Sequence, residues 1–366
     1  MHIKRLSLYD FRNFVQLDLD LDAGMNLFVG ANAQGKTNLL EACHLLATAR
    51  SHRLAKDSEM IRWQQKSYYV AASVSTNLGI RTLQLHYDPA EGKKVHLDAK
   101  LQPRLLDLIG NLKLVFFAPE HLSIVKGDPG GRRRFLDMLL SSLHRKYLYD
   151  LSQYGKVLRE KSNLLREEKP DLDLLSVLNL QLAQLGSSLM QRRIEAIEQL
   201  KPLAARYHEK LNSNERLTLS YESRIGYDIP PKTSHLRDSL EHLLRLRQGE
   251  ELRRHICLVG PQRDDIKIIL NGEEAKRFAS QGQQRSIVLA LKIAEAHYIE
   301  QIGDERPLLI LDDLFSELDP GRQSNLMANL VEFGQSLISA THLPPLLSHI
   351  EKRIYTVQQG MVRIQP

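Results

Sequence analysis

NLFVGANAQGKTNLLEA, residues 26–42, decides the fold. It opens on a short apolar run and ends on a segment whose leucines recur at helical spacing. Between them, GANAQGKT at 30–37 fits the pattern G-x-x-x-x-G-K-[ST]. A strand, a glycine loop and a helix in that order make an α/β unit whose loop points backbone N–H groups at an anion. The glycines let the chain wrap phosphate oxygens closely. Lys36 reaches the terminal phosphates and Thr37 supplies a hydroxyl to a magnesium ion. The other reading is an ordinary glycine turn beside a surface lysine. The helix, predicted to start near Thr37, would then carry Leu39, Leu40, Cys43, Leu45 and Leu46 for packing alone.

Before this stretch, HIKRLSLYDF places apolar residues at Ile3, Leu6 and Leu8. FVQLDLDLD alternates so as to put Val15, Leu17, Leu19 and Leu21 on one face of a half-wet strand. After it, YYVAASVST, RTLQLHYD and KKVHLDA read as strands, and KLVFFAPEHL as a buried strand ending at Pro119. The text then turns helical from about 130 to 212, punctuated by Pro170 and Pro202, with leucines three and four apart. Residues 216–223 read as a strand and 235–255 as a helix. Strand-rich text returns with DDIKIIL, followed by a helix from about Arg285. PLLILDD, a helix near 320–333, SLISAT, and a closing strand pair complete the chain. The expected division is an α/β lobe begun at 1–125, a helical inserted lobe at 126–255, and completion of the first lobe at 256–366.

LLILDD, 307–313 with its leading proline, sets four apolar residues before two aspartates. A carboxylate at the end of a buried strand can support a metal, the part suited to Asp312, while Asp313 can take a proton from a water or orient it. Two solvated acids at a strand end are the plainer alternative.

The chain has 366 residues, 42% hydrophobic and 26% charged, as in a folded globule of more than one lobe. No apolar run reaches bilayer length, and MHIKRLSLYDF does not read as a secretory signal. A cytoplasmic location with no membrane partner is expected. Cys43 and Cys257 stand far apart, without the spacing of a disulfide scaffold or zinc site. The formal net charge of +6 permits nucleic-acid binding without establishing it.

The order of short motifs resembles the head domain of ATP-binding-cassette and SMC-type ATPases. SQGQQRS at 280–286 holds the place of the class signature, SELD at 316–319 follows the acidic strand, and ATH at 340–342 puts His342 where the class has its switch histidine. LSLYDFRNF, GANAQGKTNLLEA, FFAPEHLSIVKGDPGGRRRFLD, GPQRDD and FASQGQQRSIVLALKIAE narrow the resemblance to the bacterial DNA repair family RecF, over nearly the whole chain. It implies a two-lobed ABC-type α/β head with a mainly helical insertion and no long coiled coil. It also implies an ATP-dependent homodimer that binds double-stranded DNA at gaps and hydrolyses ATP slowly. Such a protein works with RecR and RecO to load RecA in repair, replication restart and the SOS response.

Carried over residue by residue, the resemblance gives Gly30, Asn32, Gly35, Lys36, Thr37 and Asn38 to the phosphates. It gives Thr37 and Asp312 to Mg²⁺, Asp313 and His342 to hydrolysis, and Ser280, Gly282 and Gln283 to the ATP held by a second copy. Gln283 stands where transporters have a glycine, and Asp313 where many members have a glutamate. Glu120 falls near the glutamine-loop position, and Arg12 and Asn13 near the base or phosphates.

Residues 132–169 hold ten Lys or Arg against five acids, so Arg132, Arg133, Arg134, Arg145 and Lys146 are candidates for backbone phosphates, with Lys156, Arg159 and Lys161 beyond them. A solvated helix face with internal ion pairs is the alternative, equally so for Arg245, Arg247, Arg253 and Arg254. Arg263 either joins a nucleotide contact or pairs with Asp264 or Asp265. Tyr147, Tyr149 and Tyr154 either stack on bases or pack within helices. Two further functions stay open: a transporter's head subunit, and a DNA adaptor that binds ATP but barely turns it over.

Overall fold

Two six-stranded sheets sandwich the helix that begins at Lys36. The computed structural model describes the chain apart from Leu54, Val331, Glu332, Pro344, Ser348, Ile350 and Pro366. The residues fall into two compact units. Unit 1 is residues 1–122, 207–213 and 285–366, and unit 2 is residues 123–206 and 214–284.

In unit 1 one sheet is antiparallel, in the order Phe14–Asp20, His2–Phe11, Tyr68–Thr76, Gly79–Asp88, Gly92–Leu97 and Lys100–Leu101. The other runs Met361–Ile364, Arg353–Gln358, Met25–Val29, Ser336–Ala340, Leu308–Asp312 and Leu114–Phe117. All its neighbours are parallel except the hairpin of Arg353–Gln358 with Met361–Ile364. Leu308–Asp312 and Ser336–Ala340 are buried along their whole length, as expected of strands covered on both faces. Ile3, Leu6, Leu8, Leu17, Leu19, Leu39, Leu40, Cys43, Phe116 and Tyr355 belong to one core cluster. The alternation predicted for the second strand holds at Leu17, Leu19 and Leu21 but fails at Val15, which is 63% exposed, while Phe14 is buried. Asp10, between the pairs Tyr9–Gln16 and Phe11–Phe14, takes φ 49° and disturbs the pleat there.

Unit 2 holds the helices Pro129–Leu143, Arg145–Leu164, most of Leu172–Leu211, and Thr233–Arg254. Pro202 does not end its segment, because the helix Leu172–Leu211 continues through it for 40 residues in all. Pro202 is exposed, so water can reach a carbonyl its ring leaves unbonded. The boundary expected at 255 also moves. Asp265–Leu270 pairs antiparallel with Leu217–Glu222, and Glu273–Glu274 adds the third strand. The strand-rich text after 256 therefore belongs first to a sheet of unit 2, and unit 1 resumes at residue 285.

Candidate functional site

Parallel register gathers the chemistry at one edge of unit 1. Asp312 pairs with Ser339, and Ala340 pairs with Val29, so the acidic strand end and the start of the glycine loop lie at the carboxyl ends of the two strands that flank Ser336–Ala340. Open α/β sheets bind ligands at that edge. Gly30 leaves Val29 so close to the next strand that a Cβ would lie 2.3 Å from the Val357 carbonyl oxygen. Gly35, at φ 114°, caps the helix Lys36–Thr48, and a Cβ there would lie 2.5 Å from Asn13 Nδ2. Neither place admits a side chain without displacing the loop.

Lys36 is only 6% exposed and donates from Nζ to the carbonyls of Gly30 at 2.6 Å and Ala31 at 2.9 Å. Burial lowers its pKa from the ordinary lysine value, against the opposing charges of Asp313 and Asp312. Across the loop, Thr37 Oγ1 donates to Asp312 Oδ1 at 2.9 Å, and Ser339 Oγ donates to the same oxygen at 2.7 Å. The Asp313 N–H donates in turn to Ser339 Oγ at 2.9 Å. Burial pushes the Asp312 carboxyl above its ordinary range, while the Ser339 and Thr37 hydrogen bonds and the Arg53 charge pull the other way. Asp313 takes φ 49°, which turns the chain just past the strand. The donor set suits magnesium: a hydroxyl and a carboxylate oxygen already in contact, both hard oxygen ligands.

The loop is braced from behind. Asn13 donates from Nδ2 to the Gln34 carbonyl at 3.0 Å and accepts from Asn38 Nδ2 at 2.8 Å. Asn32 is exposed, and its carbonyl accepts from the Gln34 amide at 3.4 Å. Arg12, expected near the nucleotide, spends its donors elsewhere: two on Glu41 at 2.8 Å each and one on the Glu59 carbonyl at 2.9 Å. Burial opposes ionisation of Glu41, yet the hydrogen bonds from Arg12 and Ser51 and the Arg12 charge hold its carboxyl below the ordinary value. Arg12 thus acts through the first helix of the site. Ser339, Glu41, Gln34 and Arg53 were missed by sequence reasoning. Ser339 stood beside the ATH string, and its place opposite a strand-end acid was the available signal. Arg53 donates to Asn38 Oδ1 at 3.3 Å, which no motif marks.

Ser280 and Gln283 form a reciprocal cap at the start of the helix Gln281–Gly303. The Ser280 N–H donates to Gln283 Oε1 at 2.7 Å, and the Gln283 N–H donates to Ser280 Oγ at 3.3 Å. Gln283 also donates to Glu215 at 2.8 Å. A glutamine where transporters carry glycine therefore has a local role, with Gly282 in the same first turn. His342 lies just past Ser336–Ala340 and is exposed, as is Glu120 in the turn Pro119–Leu122. The side chains of Ser316 and Glu317 lie outside the described residues.

The basic run divides sharply. Arg132 is buried, grips Asp265 at 2.7 and 2.8 Å, and donates to the carbonyls of Ile124 and Gly127, so it is a structural residue rather than a phosphate contact. Arg133 is half-buried and donates to the Asp264 carbonyl at 2.7 Å. Lys161 is wholly buried, 2.6 Å from the equally buried Glu251. Tyr147 and Tyr154 are buried, which removes them from any stacking platform, whereas Tyr149 is 51% exposed. Arg263 pairs with neither neighbouring acid and donates twice to the Cys257 carbonyl. Arg247 and Arg254 both pair with Glu250. Arg134, Arg145, Lys156 and Arg159 are exposed, and Lys146 is exposed beside Asp150 at 2.9 Å. No described helix is long and apolar enough to cross a membrane.

Residues 2–363 match the RecF/RecN/SMC N terminal domain. The chain is 39% identical to the DNA replication and repair protein RecF of Symbiobacterium thermophilum, covering 99% of this chain and 98% of the relative. It is 38% identical to the RecF of Halothermothrix orenii, covering 99% and 98%. A solved structure of the recombination mediator protein RecF with ATP, from the RecFOR pathway, superposes with a TM-score of 0.93 at 31% identity, covering 100% of this chain and 98% of that one. A solved Smc head superposes with a TM-score of 0.53 at 14% identity, a likeness of fold alone. With its two-lobed α/β head and matches that run nearly end to end, the chain belongs to the RecF family.

Proposed function

We propose that this protein binds ATP with Mg²⁺ at the Lys36 loop and acts as an ATP-switched mediator of DNA recombination. The observation that carries the reading is the meeting of Thr37 and Asp312, 275 residues apart in sequence, in one hydrogen bond beside Lys36. Membership of the RecF family supports it over the transporter subunit.

In this reading the Lys36 ammonium trades its two loop carbonyls for β- and γ-phosphate oxygens. Backbone N–H groups of residues 30–37 and the start of the helix Lys36–Thr48 face the same anion. Thr37 and Asp312 hold Mg²⁺, which neutralises phosphate charge when bound. Asp313 orients the attacking water or takes its proton, and His342 senses the γ-phosphate. Asp313 is one methylene shorter than glutamate, in keeping with slow turnover. Ser280, Gly282 and Gln283 of a second copy close over the same ATP. Hydrolysis removes the γ-phosphate shared by both surfaces, so dimer affinity falls.

Exposed cations such as Arg134, Arg145 and Lys146 bind the backbone of double-stranded DNA at gaps. The protein passes this engagement to RecR and RecO for loading RecA, in the cytoplasm, during repair, replication restart and SOS induction. The test is DNA binding and self-association measured with ATP, with ADP and without nucleotide, repeated with Lys36→Ala and Ser280→Arg. ATP should strengthen both in the unaltered chain and in neither variant. If ATP changes neither dimerisation nor DNA affinity, the switch is refuted.

A further inference from the structure

Eight of the nine phenylalanines are buried, none of them more than 9% exposed. Phe278 is the exception, at 66%. It ends the short helix Ala275–Phe278 and stands two residues before Ser280. Single exposed apolar residues are ordinary on a protein surface. Phe278 is set apart by its place beside the signature and by how firmly it is held there.

The Ala279 N–H donates to the Ala275 carbonyl at 3.1 Å, and Ala275 is 1% exposed. Gln284 donates from Nε2 to the Ala279 carbonyl at 2.7 Å and from its backbone N–H to the Ser280 carbonyl at 2.9 Å. With the reciprocal cap of Ser280 and Gln283, these bonds fix Phe278 and Ser280 relative to each other. Ala279 between them is extended, at φ −72° and ψ 131°. Two residues of extended chain span about 7 Å. That is comparable to the run of a triphosphate from its γ-phosphorus back to the sugar. When Ser280 meets a γ-phosphate, a ring at position 278 is therefore within reach of the nucleoside.

The copy that holds the ATP offers the base little to stack on. The side chains that brace its loop, Asn13, Gln34, Asn38 and Arg53, are all polar. A base bound beside them keeps a flat apolar face toward whatever closes over it.

We propose, resting on the ATP-closed dimer, that Phe278 of one copy covers the nucleoside of the ATP held by the other. Ser280 then reads the γ-phosphate and Phe278 the base, so closure depends on the whole nucleotide rather than on its phosphates alone. Ring and base each leave water in the same step, and stacking adds to that gain.

The test measures self-association by sedimentation with Mg²⁺ and nucleotide, for the unaltered chain, Phe278→Ala and Phe278→Trp. Each dimer carries two stacking contacts, so Phe278→Ala should weaken ATP-driven dimerisation by about thirtyfold or more. Phe278→Trp keeps a ring and should keep the dimer. With 1,N6-etheno-ATP as the nucleotide, it should also quench the etheno base as dimers form. In a chain carrying Ser280→Arg, which blocks closure, the change at 278 should leave ATP affinity where it is, because the ring acts only across the interface. Dimerisation of Phe278→Ala equal to that of the unaltered chain would overturn the inference and leave the switch standing. So would an etheno base that stays unquenched with Phe278→Trp, since the ring would then pack on protein. Dependence of ATP affinity on residue 278 in the Ser280→Arg chain would overturn it as well, as a contact within one copy. If the unaltered chain fails to dimerise with ATP, the switch itself has failed and the inference falls with it.

Discussion

The Lys36 loop and the interior of unit 2 both bury charge, and they do so in opposite ways. Lys36 rests on two carbonyls and Asp312 on two hydroxyls, neutral partners that a phosphate or a metal can replace. Arg132 holds Asp265 through two bonds, Arg193 holds Asp137, and Lys161 meets Glu251 with both side chains at 0% exposure. Ion pairs of this kind leave nothing for a ligand to take over. The lesson is that a buried charge marks a binding site when its partners are exchangeable and a framework when they are not.

The largest effect should come from the framework. Lys161→Ala strands Glu251 in the interior and should cost about 3–5 kcal/mol in denaturant unfolding. Pairing Lys161→Met with Glu251→Leu should recover most of that loss; a double variant as weak as the single one would break the comparison. Arg132→Ala should cost roughly 2–3 kcal/mol, less because Asp265 is 25% exposed, and should leave the salt dependence of DNA binding unmoved. Lys36→Ala should reverse the pattern. ATP affinity should fall about tenfold to a hundredfold, measured by calorimetry, with little change in unfolding. Arg134→Ala with Arg145→Ala should flatten the plot of log affinity against log salt by about 0.9 for each DNA phosphate no longer neutralised, at unaltered stability.

The smallest effect on stability is at Asp312. Its carboxyl titrates higher folded than unfolded, so ionisation costs stability, and that cost is present above the raised value and gone below the unfolded one. Asp312→Asn should therefore raise the melting temperature slightly at neutral pH. The gain should vanish as pH falls through the carboxylate range, while Mg²⁺-dependent ATP hydrolysis is abolished at every pH.

Much of the candidate site was legible. GANAQGKT and LLILDD are local strings whose meaning depends on their own strand, loop and helix. An α/β lobe assembled from both ends of the chain around a helical insertion followed from the same periodicities, and the resemblance made it a two-lobed head. What escaped was set by distant partners. Nothing near Lys161 announces Glu251, and nothing in DDIKIIL says that it pairs with Leu217–Glu222 instead of the larger sheet. The run of basic letters from Arg132 to Lys161 looked uniform because sequence records charge but not the direction of a side chain. Only burial separates Arg132 from Arg134. Ser280 and Gln283 were marked for a partner's ATP, and their capping role was hidden in the same three-residue spacing.

The strand Arg353–Gln358 runs beside Met25–Val29, with the Val357 carbonyl against Gly30, while the N–H groups of Gln359 and Gly360 donate to Gln34 at 2.8 and 3.1 Å. A ribosome makes the loop early and the residues that clasp it more than three hundred codons later. During that interval the motif exists as text without its wall. Nucleotide binding is thus a property that a nascent chain acquires late, and a message truncated shortly before codon 353 would yield every recognisable motif and an unfinished pocket.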